Sequence, residues 1–228
     1  MDFYKMLSDY YDEIFPVNRN LVNIIINLTP ENVHVLDVGC ATGALVRELV
    51  NEGFDCEGLE YVPELIKYNE KVSVGDMHKL PYDDNRFDTL LCTGNTLAHV
   101  KDPVKAEQVL GEFSRVLKKG GKAVIQILNY GMILRNKPAN LPLIKTEHVT
   151  FERRYEYLQD NIKFSGRLST GSNTQESYVD IYPLTDRELD VAAILSGFKV
   201  DNTYGGFDGS DFDIEKSLPL IKILSRID

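Results

Sequence analysis

The sequence predicts an α/β protein whose parallel sheet is covered on both faces, and three observations carry that prediction. Between residues 33 and 128, short runs of β-forming residues alternate with helix-periodic segments, the pattern of right-handed βαβ units. "VHVLDVGCATGALVREL" (33–49) joins a strand through a small-residue turn to a helix, an arrangement that commonly holds a nucleotide-like ligand. Residues 145–182 then switch to polar/apolar alternation broken by Gly, Ser and Asn, which predicts short antiparallel strands.

Apolar residues at 3, 7, 10, 11, 14 and 15 predict an amphipathic helix, and "RNLVNIIINL" (19–28) predicts a second, which Thr29-Pro30 breaks. Strands are expected at 33–38, 54–60, 71–75, 86–93 and 122–128, with helices at 43–52, 63–69 and 102–118. "LTDRELDVAAILSGF" reads as a capped helix with Thr185 as N-cap, Glu188 as its N3 partner and Gly197 as the stop. Strands at 199–204 and 218–224 complete the pattern, and no internal repeat is visible. The expected organisation is one domain over 1–228, with 1–30 as a helical cap and 129–182 as an inserted β-rich lid over the substrate region.

The 228 residues suffice for one buried core. With 25 basic against 35 acidic side chains the net charge is −10, which repels a nucleic acid backbone. The Lys118–Lys119 and Arg153–Arg154 pairs are too short to make a basic patch. Cys40, Cys56 and Cys92 have no CxxC spacing and read as buried reduced thiols. The acidic start "MDFYKMLSDYYDEIF" lacks the apolar core of a signal peptide, and no apolar run approaches the roughly 18 residues of a membrane span. A cytoplasmic protein with no membrane or nucleic acid partner is expected.

The glycine turn narrows the ligand. A dinucleotide fingerprint requires glycine at 39, 41 and 44, but the chain has Gly39, Ala41 and Ala44. Asp37, two residues before the turn, would meet a pyrophosphate with like charge. A P-loop sequence occurs nowhere. The turn favours a ligand with a nucleoside end and a cationic end.

These residues resemble class I S-adenosylmethionine-dependent methyltransferases. "VLDVGCATG" is similar to their first motif, D/E-x-G-x-G-x-G, with Ala41 in the place of the middle glycine. The resemblance implies S-adenosyl-L-methionine as cofactor, held at Asp37, Gly39, Cys40, Ala41, Thr42 and Gly43. This cofactor carries a sulfonium and an ammonium but no phosphate, so Asp37 becomes an asset. Glu60 ends the second strand 17 residues past Gly43, where a carboxylate accepts hydrogen bonds from a ribose diol, with Tyr61 beside it. "VGDMHKLPYDDNRFD" (74–88) resembles the family's third motif, implying that Asp76 accepts from the adenine amino group while Met77 packs on the ring. "CTGNTLAHV" (92–100) looks like the corresponding loop of small-molecule N-methyltransferases, the glycine type included. It offers Thr93, Gly94 and Asn95 to the cofactor. His99 either orients a donor or acts as a base, or is a structural histidine. With "VLKKGGKAVIQILNY" entering a fifth strand, the resemblance implies a seven-stranded Rossmann-like sheet of order 3-2-1-4-5-7-6, strand 7 antiparallel.

Methyl transfer needs placement more than acid or base, which agrees with the lack of any G-x-S-x-G, H-E-x-x-H or zinc-spaced set; no metal is expected. Tyr4, Tyr10 and Tyr11 stand in the N-terminal helix, either packing or lining the transfer site, and Tyr11 is the first candidate. Only one of Arg153 and Arg154 can face a pocket from a strand. The acidic stretch "YGGFDGSDFD" (204–213) is either an amine contact or an ordinary loop, and its spacing excludes an EF-hand. The expected function is methyl transfer to a nitrogen or oxygen of a small metabolite, with an amine preferred, by a monomer or homodimer. The alternative is an S-adenosylmethionine-binding protein without catalysis, in a regulatory or assembly role; a nicotinamide oxidoreductase is weaker.

Overall fold

The computed structural model describes residues 2–28 and 33–227; the Thr29-Pro30 break lies outside them. Seven strands form the main sheet: β1 (His34–Val38), β2 (Asp55–Glu60), β3 (Val72–Val74), β4 (Phe87–Cys92), β5 (Leu117–Leu128), β10 (Phe198–Tyr204) and β11 (Pro219–Arg226). Their order is β10-β11-β5-β4-β1-β2-β3. β11 runs antiparallel to both neighbours, and the β5-β4-β1-β2-β3 run is parallel throughout. This is the order and the single reversal that the sequence resemblance implies.

Both faces are covered, as a parallel sheet requires. Helices α3 (Arg19–Leu28) and α4 (Ala44–Asn51) bury Leu21, Val22, Ile25, Leu45, Val46 and Leu49 on one face, against Val35, Leu91 and Val124. Helices α5 (Pro103–Val116) and α7 (Asp186–Leu195) pack Val109, Leu110, Phe113, Leu189 and Ala193 on the other, against Leu36, Leu90 and Ile125. Neighbours such as Val35 and Leu36 go to opposite faces because strand side chains alternate. Both helices are capped: Asp102 accepts from the Lys105 amide at 2.8 Å, and Thr185 and Glu188 complete the expected capping box.

The segment expected as a lid contains a second, antiparallel sheet of β6 (Ile144–Lys145), β7 (Thr150–Tyr157), β8 (Ile162–Thr170) and β9 (Asn173–Ile181). A helix, α6 (Tyr130–Asn136), precedes that sheet; its sequence carries little helical periodicity, but Asn129 caps it by accepting from the Met132 amide at 3.1 Å. The N-terminal segment is α1 (Asp2–Leu7), a 3₁₀ turn and α2 (Tyr11–Ile14), not one continuous helix, because Tyr10 leaves helical backbone geometry at φ −116°, ψ 9°. Phe3, Leu7 and Ile14 pack under the four-stranded sheet against Val149, Phe151 and Leu168. Gly166 makes that fit possible: a Cβ there would lie 2.6 Å from Phe151 and 2.8 Å from Phe3.

The helix expected at 63–69 is absent. Two 3₁₀ turns, Pro63–Leu65 and Asn69–Lys71, stand there, because the Lys67 and Tyr68 amides donate to the Thr42 carbonyl at 3.1 and 3.0 Å instead of to their own turn. Cys40, Cys56 and Cys92 are free and buried. Among the described residues, no helix is long and apolar enough to cross a membrane, and no cluster of His, Cys, Asp or Glu could hold a metal ion.

Candidate active site

The site lies where β1, β2, β3 and β4 end, the edge at which open α/β sheets hold ligands. After β1 the chain turns through Gly39 (φ +74°), Ala41 (φ +50°) and Gly43 (φ +81°) into α4. Glycine is required at 39 because a Cβ would fall 2.4 Å from Thr96 Cγ2. Ala41 occupies a left-handed conformation that costs an L-residue about 1–2 kcal/mol. Glu60 braces this turn from the end of β2: Oε2 accepts from the Ala41 amide and Oε1 from the Val62 amide, both at 2.8 Å. Burial raises the Glu60 pKa, and these backbone donors offset part of the rise. Asp37 is buried in β1, and desolvation, helped by the Glu60 charge, pushes its pKa up to about 7.

Two cavities meet at this turn. The larger, of about 310 Å³, is lined by Glu60, Tyr61, Asp76, Met77, Tyr4 and His99 among others. The smaller, of about 190 Å³, is lined by Asp12, Asp37, Cys40, Thr42, Thr93 and Gln126 among others. Tyr11, Gly39, Ala41 and Gly94 border both, so the neck between them is built from small residues and one tyrosine ring. Burial raises the Tyr11 pKa, with Glu60, Asp12 and Asp37 adding to the effect, so its hydroxyl stays protonated.

Above the larger cavity, the Tyr4 hydroxyl meets His99 Nε2 at 2.7 Å, joining α1 to the turn after β4. Burial pulls the His99 pKa down to about 4, so the ring is neutral near pH 7. Burial raises Tyr4 well above its ordinary value. At the outer end, Asp76 Oδ1 accepts from the His78 amide at 2.9 Å and meets the His78 ring Nδ1 at 2.7 Å. Partial burial opposes ionisation of Asp76, but the His78 contacts outweigh it and hold the pKa below the usual carboxylate value.

Comparison with known proteins gives this geometry its context. Residues 36–125 match the family model described as a methyltransferase domain. The glycine/sarcosine N-methyltransferase of Aphanothece halophytica is 29% identical over 195 residues, 76% of this chain and 69% of that protein. The CcbJ methyltransferase of Streptomyces caelestis superposes with a TM-score of 0.82 at 19% identity, over 99% of this chain and 98% of that one. Residues 36–125 are thus similar in sequence to methyltransferase domains, and the whole chain shares the fold of S-adenosylmethionine-dependent methyltransferases. The sugar N-methyltransferase KedS8 of Streptoalloteichus shares the fold at a TM-score of 0.74 and 18% identity, covering 99% and 93% of the two chains. The chain spans between 31% and 69% of the length of the curated relatives it matches.

The donor set at this site suits S-adenosylmethionine. A carboxylate at the β2 end retains lone pairs for a diol, an acid after β3 keeps Oδ2 without a partner among the described residues, and a buried carboxyl poised near pH 7 can meet a cation. Gly43 lines neither cavity and serves as the N-cap of α4. Asn95 lines neither as well: its Oδ1 accepts from the Leu128 amide at 3.0 Å and its Nδ2 donates to Tyr130 at 2.7 Å. Arg153 and Arg154 are also away from both cavities; Arg153 donates to the Pro142 carbonyl and Arg154 pairs with Glu152. From the 204–213 loop it is Phe207, not an acid, that borders the smaller cavity, while Asp208 is engaged by Ser210. Asp12 and Gln126 escaped the sequence reading. Asp12 accepts from the Thr42 hydroxyl at 2.5 Å across 30 residues, which no local pattern announces. Gln126 is a polar residue inside the apolar strand "KAVIQIL", a signal that was legible.

Proposed function

We propose that this domain transfers the methyl group of S-adenosylmethionine to an amine nitrogen of a small metabolite. The observation that carries this reading is the charge of the lining: Asp12, Asp37, Glu60 and Asp76 border the cavities, with no Lys or Arg among the described lining residues. Such a field draws in cations and opposes a carboxylate or phosphate acceptor. Glycine/sarcosine N-methyltransferase and the sugar N-methyltransferase KedS8, both named for nitrogen acceptors, support the same choice.

In this reading the adenosine occupies the larger cavity. Glu60 accepts from the ribose diol beside Tyr61, Asp76 Oδ2 accepts from the adenine amino group, and Met77 packs on the ring. Gly39, Cys40, Ala41, Thr42 and Gly43 shape the turn around the thinnest part of the ligand, while Asp37 and the Thr93–Gly94 backbone face its amino-acid end. When bound, the cofactor supplies a methyl carbon activated by the adjacent sulfonium. Tyr11 borders the neck where that carbon would lie, and Tyr4 and His99 stand over it on the acceptor side. A histidine with a pKa near 4 is too weak a base to take a proton from an ammonium. Its role is to hold the Tyr4 hydroxyl so that the phenolic oxygen accepts an N–H of the incoming amine. The amine must arrive without its extra proton, so turnover climbs with pH toward the acceptor's own pKa.

A panel of small amines, alcohols and carboxylates, read by S-adenosylhomocysteine production, tests this. Amine turnover supports it. Turnover with carboxylates or alcohols alone overturns the nitrogen assignment. S-adenosylmethionine binding without turnover on any acceptor class favours a binding protein without catalysis.

A further inference from the structure

Gln126 is a polar side chain only 7% exposed, on a strand whose neighbours Val124, Ile125 and Ile127 are fully buried. Its Oε1 accepts from the Gly94 amide at 2.8 Å, which fixes the amide orientation and turns its nitrogen the other way. That nitrogen carries two donor hydrogens and has no hydrogen-bond partner among the described residues, and the side chain borders the smaller cavity. The nitrogen is not sealed in the core but opens to the cavity, where a ligand or water can accept from it.

The strand order gives the donor a direction. Asp76 follows β3, Glu60 ends β2, the glycine turn follows β1, Thr93 and Gly94 follow β4, and Gln126 lies near the end of β5. Four interstrand spacings span roughly 19 Å, a line along which an extended nucleoside–amino acid conjugate lies with its nucleoside at β3. Asp37 is level with Leu91 and Val124, so Gln126 lies two spacings across and two residues further along, roughly 12 Å away on the same side of the sheet. An acid and an amide donor at that separation bracket a zwitterion: ammonium toward Asp37, carboxylate toward Gln126. No Lys or Arg among the described residues lines this cavity to do the work instead.

We propose that Gln126 is a cofactor-binding residue that holds the α-carboxylate of S-adenosylmethionine through an uncharged contact. The proposal rests on the cofactor placement given above and adds the group that recognises its amino-acid terminus.

Calorimetric titration with S-adenosylhomocysteine and with 5′-methylthioadenosine, which lacks the amino-acid end, tests it. Gln126→Leu should weaken S-adenosylhomocysteine about 10-fold or more, the scale of a hydrogen bond to a charged group, and leave 5′-methylthioadenosine within about twofold. Gln126→Glu keeps an acceptor for the Gly94 amide but sets a carboxylate against the ligand's own. It should weaken S-adenosylhomocysteine further still, again sparing 5′-methylthioadenosine, so a folding defect of the Leu variant does not decide the result. Equal weakening of both ligands in both variants, or of neither, overturns the proposal. Failure of the unaltered protein to bind either ligand would instead overturn the cofactor placement itself.

Discussion

The floor and the roof of the site are built on opposite principles. The floor consists of short contiguous segments, 37–43, 60–61, 76–77 and 93–94, each falling at or just past the end of a parallel strand. The roof draws Tyr4 from α1, His99 from the turn after β4 and Val179 from β9, and the polar contact of Tyr4 with His99 spans 95 residues. In the proposed function the floor recognises a fixed ligand and the roof a variable one. The difference shows how a cofactor site can be held by local chain geometry while an acceptor site depends on packing between distant segments.

Experiments can break or sharpen that contrast. Phe3→Ala removes the ring that stacks at 5.2 Å from Phe164 and 6.4 Å from Phe151, centroid to centroid. It should destabilise by about 3 kcal/mol, lowering the melting midpoint by roughly 6–12 °C. If roof and floor are separable, hydrogen exchange should rise in β7–β9 while cofactor affinity persists. Collapse of cofactor binding would show them to be one unit.

Glu60→Ala strikes the floor, stranding the Ala41 and Val62 amides and removing the ribose acceptor. S-adenosylmethionine affinity by calorimetry should fall about 10–100-fold, with circular dichroism unchanged; unaltered affinity would take Glu60 out of the site. Tyr4→Phe is the matching change above. Turnover should drop about 10-fold or more while S-adenosylmethionine binding stays within twofold, and a parallel loss of binding would erase the division.

The floor also carries a pH signature. Asp37 has its pKa raised to about 7 by burial first and Glu60 second; a cation needs the ionised form, so protonation competes with binding. Affinity should be full above pH 7 and decline as pH falls through it, by about 10-fold between pH 8 and pH 6. Flat affinity across that range would mean that Asp37 does not face the cationic end. The smallest effect belongs to Ala41→Gly. Relief of the left-handed strain is offset by the freer unfolded chain, so chemical denaturation should register a change under about 1 kcal/mol, with the roof unaffected.

The same contrast explains what could be read early. The positions of the Asp37–Gly43 turn, Glu60 and the Asp76–Met77 pair were legible because each stands at or just past a strand end, which hydrophobic patterning reveals; the roles proposed for them came from the family resemblance. Asn95 was legible as part of a loop but misplaced within it, since its side chain turns to Leu128 and Tyr130, more than 30 residues away. The helix anticipated at 63–69 failed for a related reason, its amides being claimed by the Thr42 carbonyl. Gln126 was visible as an anomaly, a lone amide in an apolar strand, but only the cavity beside it gives the anomaly a use.

The sequence, then, was enough for the layering, the strand order with its one reversal, and the place of the glycine turn after β1. The layering follows from periodicity, which acts over a few residues; the strand order and the ligand of the turn came from the resemblance of "VLDVGCATG" and its companion motifs to the methyltransferase family. Tertiary structure alone decided that α1 tucks beneath the four-stranded sheet through the space left by Gly166, that Tyr4 finds His99, and that Asp12 and Gln126 border the same cavity as Asp37. Those are contacts between segments tens of residues apart, fixed by close packing and by the need to satisfy buried polar groups.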